Sequence, residues 1–242
     1  MNKVIRNWIS AKLVSRREKK LTKLIRDKGL DALNAYYRVG LRVGTEFIPM
    51  FGTLLGAYRD HDFISFDTDI DMICNIHSLS NHMLDVLEQE GFMINKIFVS
   101  SDLRGAHLPM VYKGITCDIY FYYDEMSLRN MKHIYFPLPL NEKSWAYSFK
   151  LNIFRIKDIC LHVDVGRMKC RFQSEEINIP INTDEILKLL YGGDYMLPKK
   201  NAHANPAMFE TFNIVDNHFT CYPIDFFIEN DLMNAIIERT SF

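Results

Sequence analysis

The sequence predicts an α+β fold: a mixed β-sheet with helices packed on it, preceded by N-terminal helices and followed by a C-terminal extension. Three observations predict it. Residues 51–75 pass from a small-residue pair, Gly52-Thr53, through Asp67, Asp69 and Asp71 into an apolar run. Helical spacing precedes this stretch, and strand-like runs with a clear hairpin signal follow it. One acid, Asp118, stands in the middle of the apolar run Ile115–Phe121.

The elements follow in order. Ile5, Ile9 and Leu13, then Leu21, Leu24 and Ile25, have helical spacing over 3–28, with basic residues between them. A second helix is expected over Leu30–Arg42, ending near Gly44. The strand Glu46–Met50 leads into a Gly52-Thr53 turn, and Asp69–Asn75 is the next strand. Ser78 or Ser80 caps a helix that stops at Gly91. Phe92–Ser101 reads as one strand. His107–Tyr112 and Ile115–Tyr122 form a hairpin around Lys113-Gly114, where glycine supplies a positive φ. Pro137 and Pro139 make 124–144 a loop-rich excursion. Strands are expected at 149–156 and 159–165, and a short helix from Asn182 or Thr183 to Gly192-Gly193. Residues 199–242 contain apolar runs such as Tyr222–Ile228. The expected divisions are an N-terminal helical segment (1–44), a catalytic domain (45–198) and an extension packed on that domain (199–242).

Composition narrows the function. At 242 residues and 48% hydrophobic, the chain can bury one large core. No apolar run approaches the roughly 18 to 20 residues that span a bilayer, and no signal-peptide pattern is visible. A cytoplasmic protein is expected. The five cysteines are scattered, with no C-x-x-C pair, which argues against a disulfide framework or a zinc knuckle. Cys74 and Cys117 sit in apolar runs and read as core fillers. Residues 1–28 carry ten Lys or Arg against Glu18 and Asp27, a charge of +8 within a chain of net −1. This segment, with Trp8 on its apolar side, either caps the core or makes peripheral contact with the inner membrane surface. No basic groove interleaved with aromatics stands out elsewhere, so no nucleic-acid partner is expected.

The acids carry the chemistry. Side chains alternate faces along a strand, so Asp69 and Asp71 share one face while Ile70 and Met72 enter the core. Adjacent carboxylates repel, and a cation between them is the natural remedy. Calcium in an EF-hand is excluded: that loop needs Gly at its sixth position and Glu at its twelfth, where this chain has Met72 and Ser78. Asp118 within its apolar strand is costly to bury without a cation or hydrogen bonds. Asp69, Asp71 and Asp118 are therefore the candidate catalytic and metal-binding residues, for Mg²⁺ or Mn²⁺. Hard oxygen ligands of this kind leave positions for phosphate and water. The amides around Gly52-Thr53, the Thr53 hydroxyl and the Arg59 fork are the candidate phosphate binders. Asp118 is also the candidate to draw a proton from an attacking hydroxyl. Asp67 reads as a supporting residue, and His61 and Asp62 as loop residues near substrate.

The stretch from Gly52 to Asp71 resembles the LicD family, whose usual pattern is G-T-L-L-G-A-x-R-x-x-x-F-I-P-W-D-D-D-I-D. Gly52, Thr53, Leu54, Leu55, Gly56, Ala57, Arg59, Phe63, Ile64, Asp67, Asp69, Ile70 and Asp71 fit it. Ser65, Phe66 and Thr68 depart from it; Thr68 faces away from the flanking acids if the strand is regular. Asp118 matches the acid of the family's I-D-I-F segment. Residues 179–198, with Pro180, Asn182, Leu187, Tyr191, Gly192, Asp194, Tyr195 and Pro198, resemble its closing segment with one extra Gly.

The resemblance implies a nucleotidyltransferase-like fold, related to fukutin-type ribitol-phosphate transferases. It also implies transfer of phosphocholine or a polyol phosphate from a CDP-activated donor, with release of CMP. The implied acceptor is a hydroxyl of a cell-surface glycan or its lipid-linked precursor, such as lipopolysaccharide or capsule. Choline would call for an aromatic cage, for which Tyr120, Tyr122, Tyr123 and Trp145 are available. Two alternatives stand: an Asp-x-Asp nucleotide-sugar glycosyltransferase, and a non-catalytic descendant that binds nucleotide or glycan. The first usually needs a longer nucleotide-binding half than the 68 residues before Asp69.

Overall fold

One helix, α1 (Lys3–Val43), opens the chain where two were expected. The computed structural model describes residues 3–124, 130–140, 145–198, 210–211 and 217–240; for 3–17 and 210–211 it describes the backbone alone. The apolar stripe of Ile5, Trp8, Ile9 and Leu13 therefore lies outside the described side chains. Gly29 does not break α1. A Cβ there would lie 2.5 Å from the Phe63 ring, so its absence lets the helix pack against that ring. Ile25, Ala32, Leu33, Tyr36 and Val39 bury the inner face of α1. Gly44, at φ 70°, ends it as expected.

The short strand β1 (Ile48–Pro49) is followed by α2 (Phe51–Leu55), which a π-type turn over Gly56–Asp60 prolongs. Gly52-Thr53 thus lies in a helix, not in a turn. Then come β2 (Asp69–Asn75) and α3 (Asn81–Gln89), whose cap is Ser80: its Oγ accepts from the Met83 amide at 3.1 Å. The expected strand 92–101 divides into β3 (Phe92–Ile94) and β4 (Lys96–Ser100). Strands β5 (Ala106–Tyr112) and β6 (Ile115–Asp124) form the predicted hairpin, with Lys113 and Gly114 both at positive φ.

Part of the expected loop is strand β7 (Met131–Leu138). At Pro137 it pairs only with β8 (Arg155–His162), its pairing with β6 having ended at Ile134. Proline is tolerated where a strand has an open edge. Residues expected to begin a strand at 149 belong instead to α4 (Trp145–Leu151), and β8 runs unbroken across the expected gap at 157–158. The hairpin of β9 (Arg167–Phe172) and β10 (Glu175–Pro180) forms a separate sheet that the sequence reading did not anticipate. Then follow α5 (Thr183–Tyr191), β11 (Glu210–Thr211), β12 (Phe219–Pro223), α6 (Ile224–Glu229) and α7 (Leu232–Thr240).

The large sheet is mixed, with ten strands. Its main order is β11-β8-β7-β6-β5-β4-β12. β2 lies parallel to β6, while β1 and β3 pair with β2 and β5. Phe154 and Phe219 exchange backbone hydrogen bonds of 2.9 and 2.8 Å, so the sheet curls until β12 meets the approach to β8. Phe219, Phe227 and Ile236 are fully buried, which ties the C-terminal residues into this core. No described helix is long and apolar enough to cross a membrane.

Candidate metal and phosphate site

Strand β2 buries Ile70, Met72, Ile73 and Cys74, and turns Asp69 and Asp71 toward a pocket. The parallel pairing sets Asp71 directly beside Asp118 of β6. Ligand oxygens of Asp69, Asp71 and Asp118 lie within 4.8 Å of one another, the convergence expected from the sequence. Oxygen-only donors at this spacing fit a hard divalent cation such as Mg²⁺ or Mn²⁺.

The electrostatics support that fit. Burial lifts the Asp71 carboxyl well above the usual carboxylate range, and the charges of Asp69, Asp118 and Asp67 lift it further. Burial and then the Asp118 charge raise Asp69. Asp67 is pushed up to about 8 by burial and by the Asp69 charge. Its Oδ2 is buried with no hydrogen-bond partner among the described residues, while Oδ1 accepts from the Thr68 amide at 3.2 Å. Four acids so close together are stable as anions only beside compensating positive charge.

The neighbouring residues have roles that their sequence positions did not reveal. A Cβ on Gly52 would stand 2.6 Å from Asp67 Oδ2. Gly52 thus makes room for that carboxylate. Phe51 just before it takes φ 50°, an uncommon conformation for an aromatic residue. Thr53 is buried, and its Oγ1 accepts the Asp71 amide at 3.0 Å. This hydroxyl, expected to meet phosphate, here joins α2 to β2. Arg59, the expected phosphate fork, is engaged by neighbours in this structure. Its Nε and Nη2 donate to the Asp60 carboxylate at 2.8 and 2.7 Å, and Nη1 donates to the Tyr195 carbonyl at 3.3 Å. The fork is buried there and does not line the pocket. Asp62 accepts from Gln173, and the His61 carbonyl accepts the Gln173 amide, so both anchor the β9–β10 hairpin.

The pocket beside the acids encloses about 510 Å³. Phe51, Phe66, Tyr120 and Phe136 form its aromatic wall, and Lys157 and Tyr191 also line it. Of the four aromatics proposed for a cage, only Tyr120 is present. Thr68 lines the pocket too, because β2 begins only at Asp69 and the strand parity expected of Thr68 does not apply. Lys157 fell in the gap between two expected strands, so no parity argument reached it.

Residues 44–157 match the family described as LicD/FKTN/FKRP, nucleotidyltransferase domain. This stretch is a LicD-type nucleotidyltransferase domain. No curated protein matches the sequence. The LicD domain contains all three acids, Gly52, Thr53, Arg59 and Lys157. Residues 179–198, whose pattern resembles the family's closing segment, lie beyond the matched range, yet they bring Tyr191 to the pocket and place the Tyr195 carbonyl against Arg59.

Proposed function

We propose that the chain transfers a phospho-substituent, phosphocholine or a polyol phosphate, from a CDP-activated donor to a hydroxyl of a glycan or its lipid-linked precursor, releasing CMP. The observation that carries this reading is the convergence of Asp69 and Asp71 from β2 with Asp118 from β6, the first two lining an aromatic-walled pocket. When bound by these three acids, Mg²⁺ or Mn²⁺ would neutralise the donor's diphosphate and favour in-line displacement. The acceptor oxygen forms a bond to the phosphorus that carries the substituent, and the anhydride bond to CMP breaks. Asp118 receives the hydroxyl proton. Lys157 also lines the pocket and is, beside Arg59, a candidate to contact a phosphate oxygen. Phe66 and Phe136 offer flat apolar surface to the nucleobase or the substituent.

The test is turnover of CDP-choline, CDP-ribitol, CDP-glycerol and CDP-ethanolamine with Mg²⁺ or Mn²⁺ and glycan acceptors. Metal-dependent CMP release from one of them is expected. Release of a nucleoside diphosphate from a UDP- or GDP-sugar would replace this reading with glycosyl transfer. Absence of any turnover would leave a binding module.

A further inference from the structure

We propose that His107 is the positioning residue of the carboxylate cluster, holding Oδ1 of Asp118 so that Oδ2 faces the divalent cation. This deepens the reading above and rests on Asp118 being a metal ligand. His107 Nε2 lies 2.9 Å from Asp118 Oδ1, and both side chains are buried. A carboxylate that ligates a cation accepts hydrogen bonds, so the tautomer of His107 with its proton on Nε2 is the one that serves this arrangement. This bond engages Oδ1 and leaves the other carboxylate oxygen, Oδ2, outside the His107 contact.

The ring itself is fixed from both sides. Phe98 of β4, His107 of β5 and Tyr120 of β6 stand in one cross-strand row. The imidazole stacks on Tyr120 at 4.4 Å with 4° between planes, and on Phe98 at 5.5 Å with 20°. Its Nδ1 is buried without a hydrogen-bond partner among the described residues, so Asp118 is the one polar anchor of the ring. Asp118 needs such an anchor. Rotation about its Cβ–Cγ bond has a broad, roughly two-fold preference, which does not by itself decide which oxygen meets Asp69 and Asp71. A clamped donor decides it. Partners of this kind behind a metal ligand are commonly worth about 10- to 100-fold in metal affinity.

The experiment is Mn²⁺ binding to the full chain, followed by electron paramagnetic resonance without any donor, on the wild type, H107Q, H107N and H107F. Glutamine carries its amide nitrogen near the Nε2 position, whereas asparagine is one methylene too short. Phenylalanine keeps the stack and removes the donor. H107N and H107F are expected to bind Mn²⁺ about 10-fold or more weakly, with H107Q within about threefold of the wild type. Melting of H107N and H107Q in one range separates this effect from unfolding, and this pair decides the matter if H107F does not fold. Wild-type affinity in H107N, equal weakness in H107Q and H107N, or absence of Mn²⁺ binding to the wild type would each overturn the proposal. Failure of all CDP donors while the Gln–Asn contrast holds would remove the transferase reading and support this one.

Discussion

Three acids whose oxygens lie within 4.8 Å of one another are a cost to the fold that a bound cation or protonation relieves, and this fixes what their replacement does. Asp69→Asn, Asp71→Asn and Asp118→Asn should each lower CMP release by orders of magnitude while leaving the metal-free protein at least as stable to heat. Parallel activity and melting measurements check this; a variant with wild-type turnover would remove that acid from the site. Gly52 is a second case. Gly52→Ala places a methyl 2.6 Å from Asp67 Oδ2, so it should lower the melting temperature. Asp67→Ala vacates that space, so the two losses should be non-additive in a double-mutant cycle. Additive losses would place the strain elsewhere. Asp69, Asp71 and Asp118 were legible in the sequence, because strand alternation and an acid inside an apolar run admit few other readings. Arg59 was not. Its partner is the next residue, and nothing in the letters tells a locally paired fork from one aimed at phosphate. His107 was read only as the start of a strand, since a histidine becomes informative when the register shows what faces it.

At the scale of elements, the site depends on how α2 is joined to β2. The Met50 amide donates to the Asp71 carbonyl at 3.1 Å, and the Asp71 amide donates to Thr53 Oγ1 at 3.0 Å. Asp71 is thereby fixed from both ends of its peptide. Thr53→Val keeps the shape and orphans the amide, which should cost about 1–3 kcal/mol. Thr53→Ser should recover most of that loss. Urea denaturation measures both, and a Val variant as stable as the Ser variant would show the bond to be dispensable. Elements with local chemistry were legible: the Ser80 cap, the Lys113-Gly114 turn and the alternation of β2. The segment 149–154, expected as strand, was not. A short apolar run does not distinguish a buried strand from a helix. Here the deciding contact is non-local: Ser148 is fully buried and its Oγ accepts the Leu140 amide at 2.7 Å, fixing α4. The two prolines near β7 misled for a related reason, since only the pairing shows that the strand has an open edge there.

For the whole molecule, the α+β class followed from the order of helix, strand and hairpin signals. The curl of the sheet did not, because the Phe154–Phe219 closure joins residues far apart in sequence. The parallel pairing of β2 with β6 inside this sheet sets the acids side by side, and so ties their repulsion to global stability. Burial and mutual charge raise the folded carboxyls of Asp67, Asp69 and Asp71 above the unfolded value, Asp67 to about 8. Between about pH 4, where an unfolded Asp releases its proton, and Asp67's folded value, the folded state binds more protons than the unfolded state. Stability of the metal-free protein should therefore fall as pH rises through that window. A bound divalent cation takes over the role of those protons, so with Mg²⁺ or Mn²⁺ the decline should flatten and the gain from metal should be largest near pH 8. Thermal melting from pH 5 to 8.5, in EDTA and in excess Mg²⁺, measures both effects. A melting temperature in EDTA that stays level or climbs across this range, with no gain from metal at pH 8, would show that these acids share no cation site.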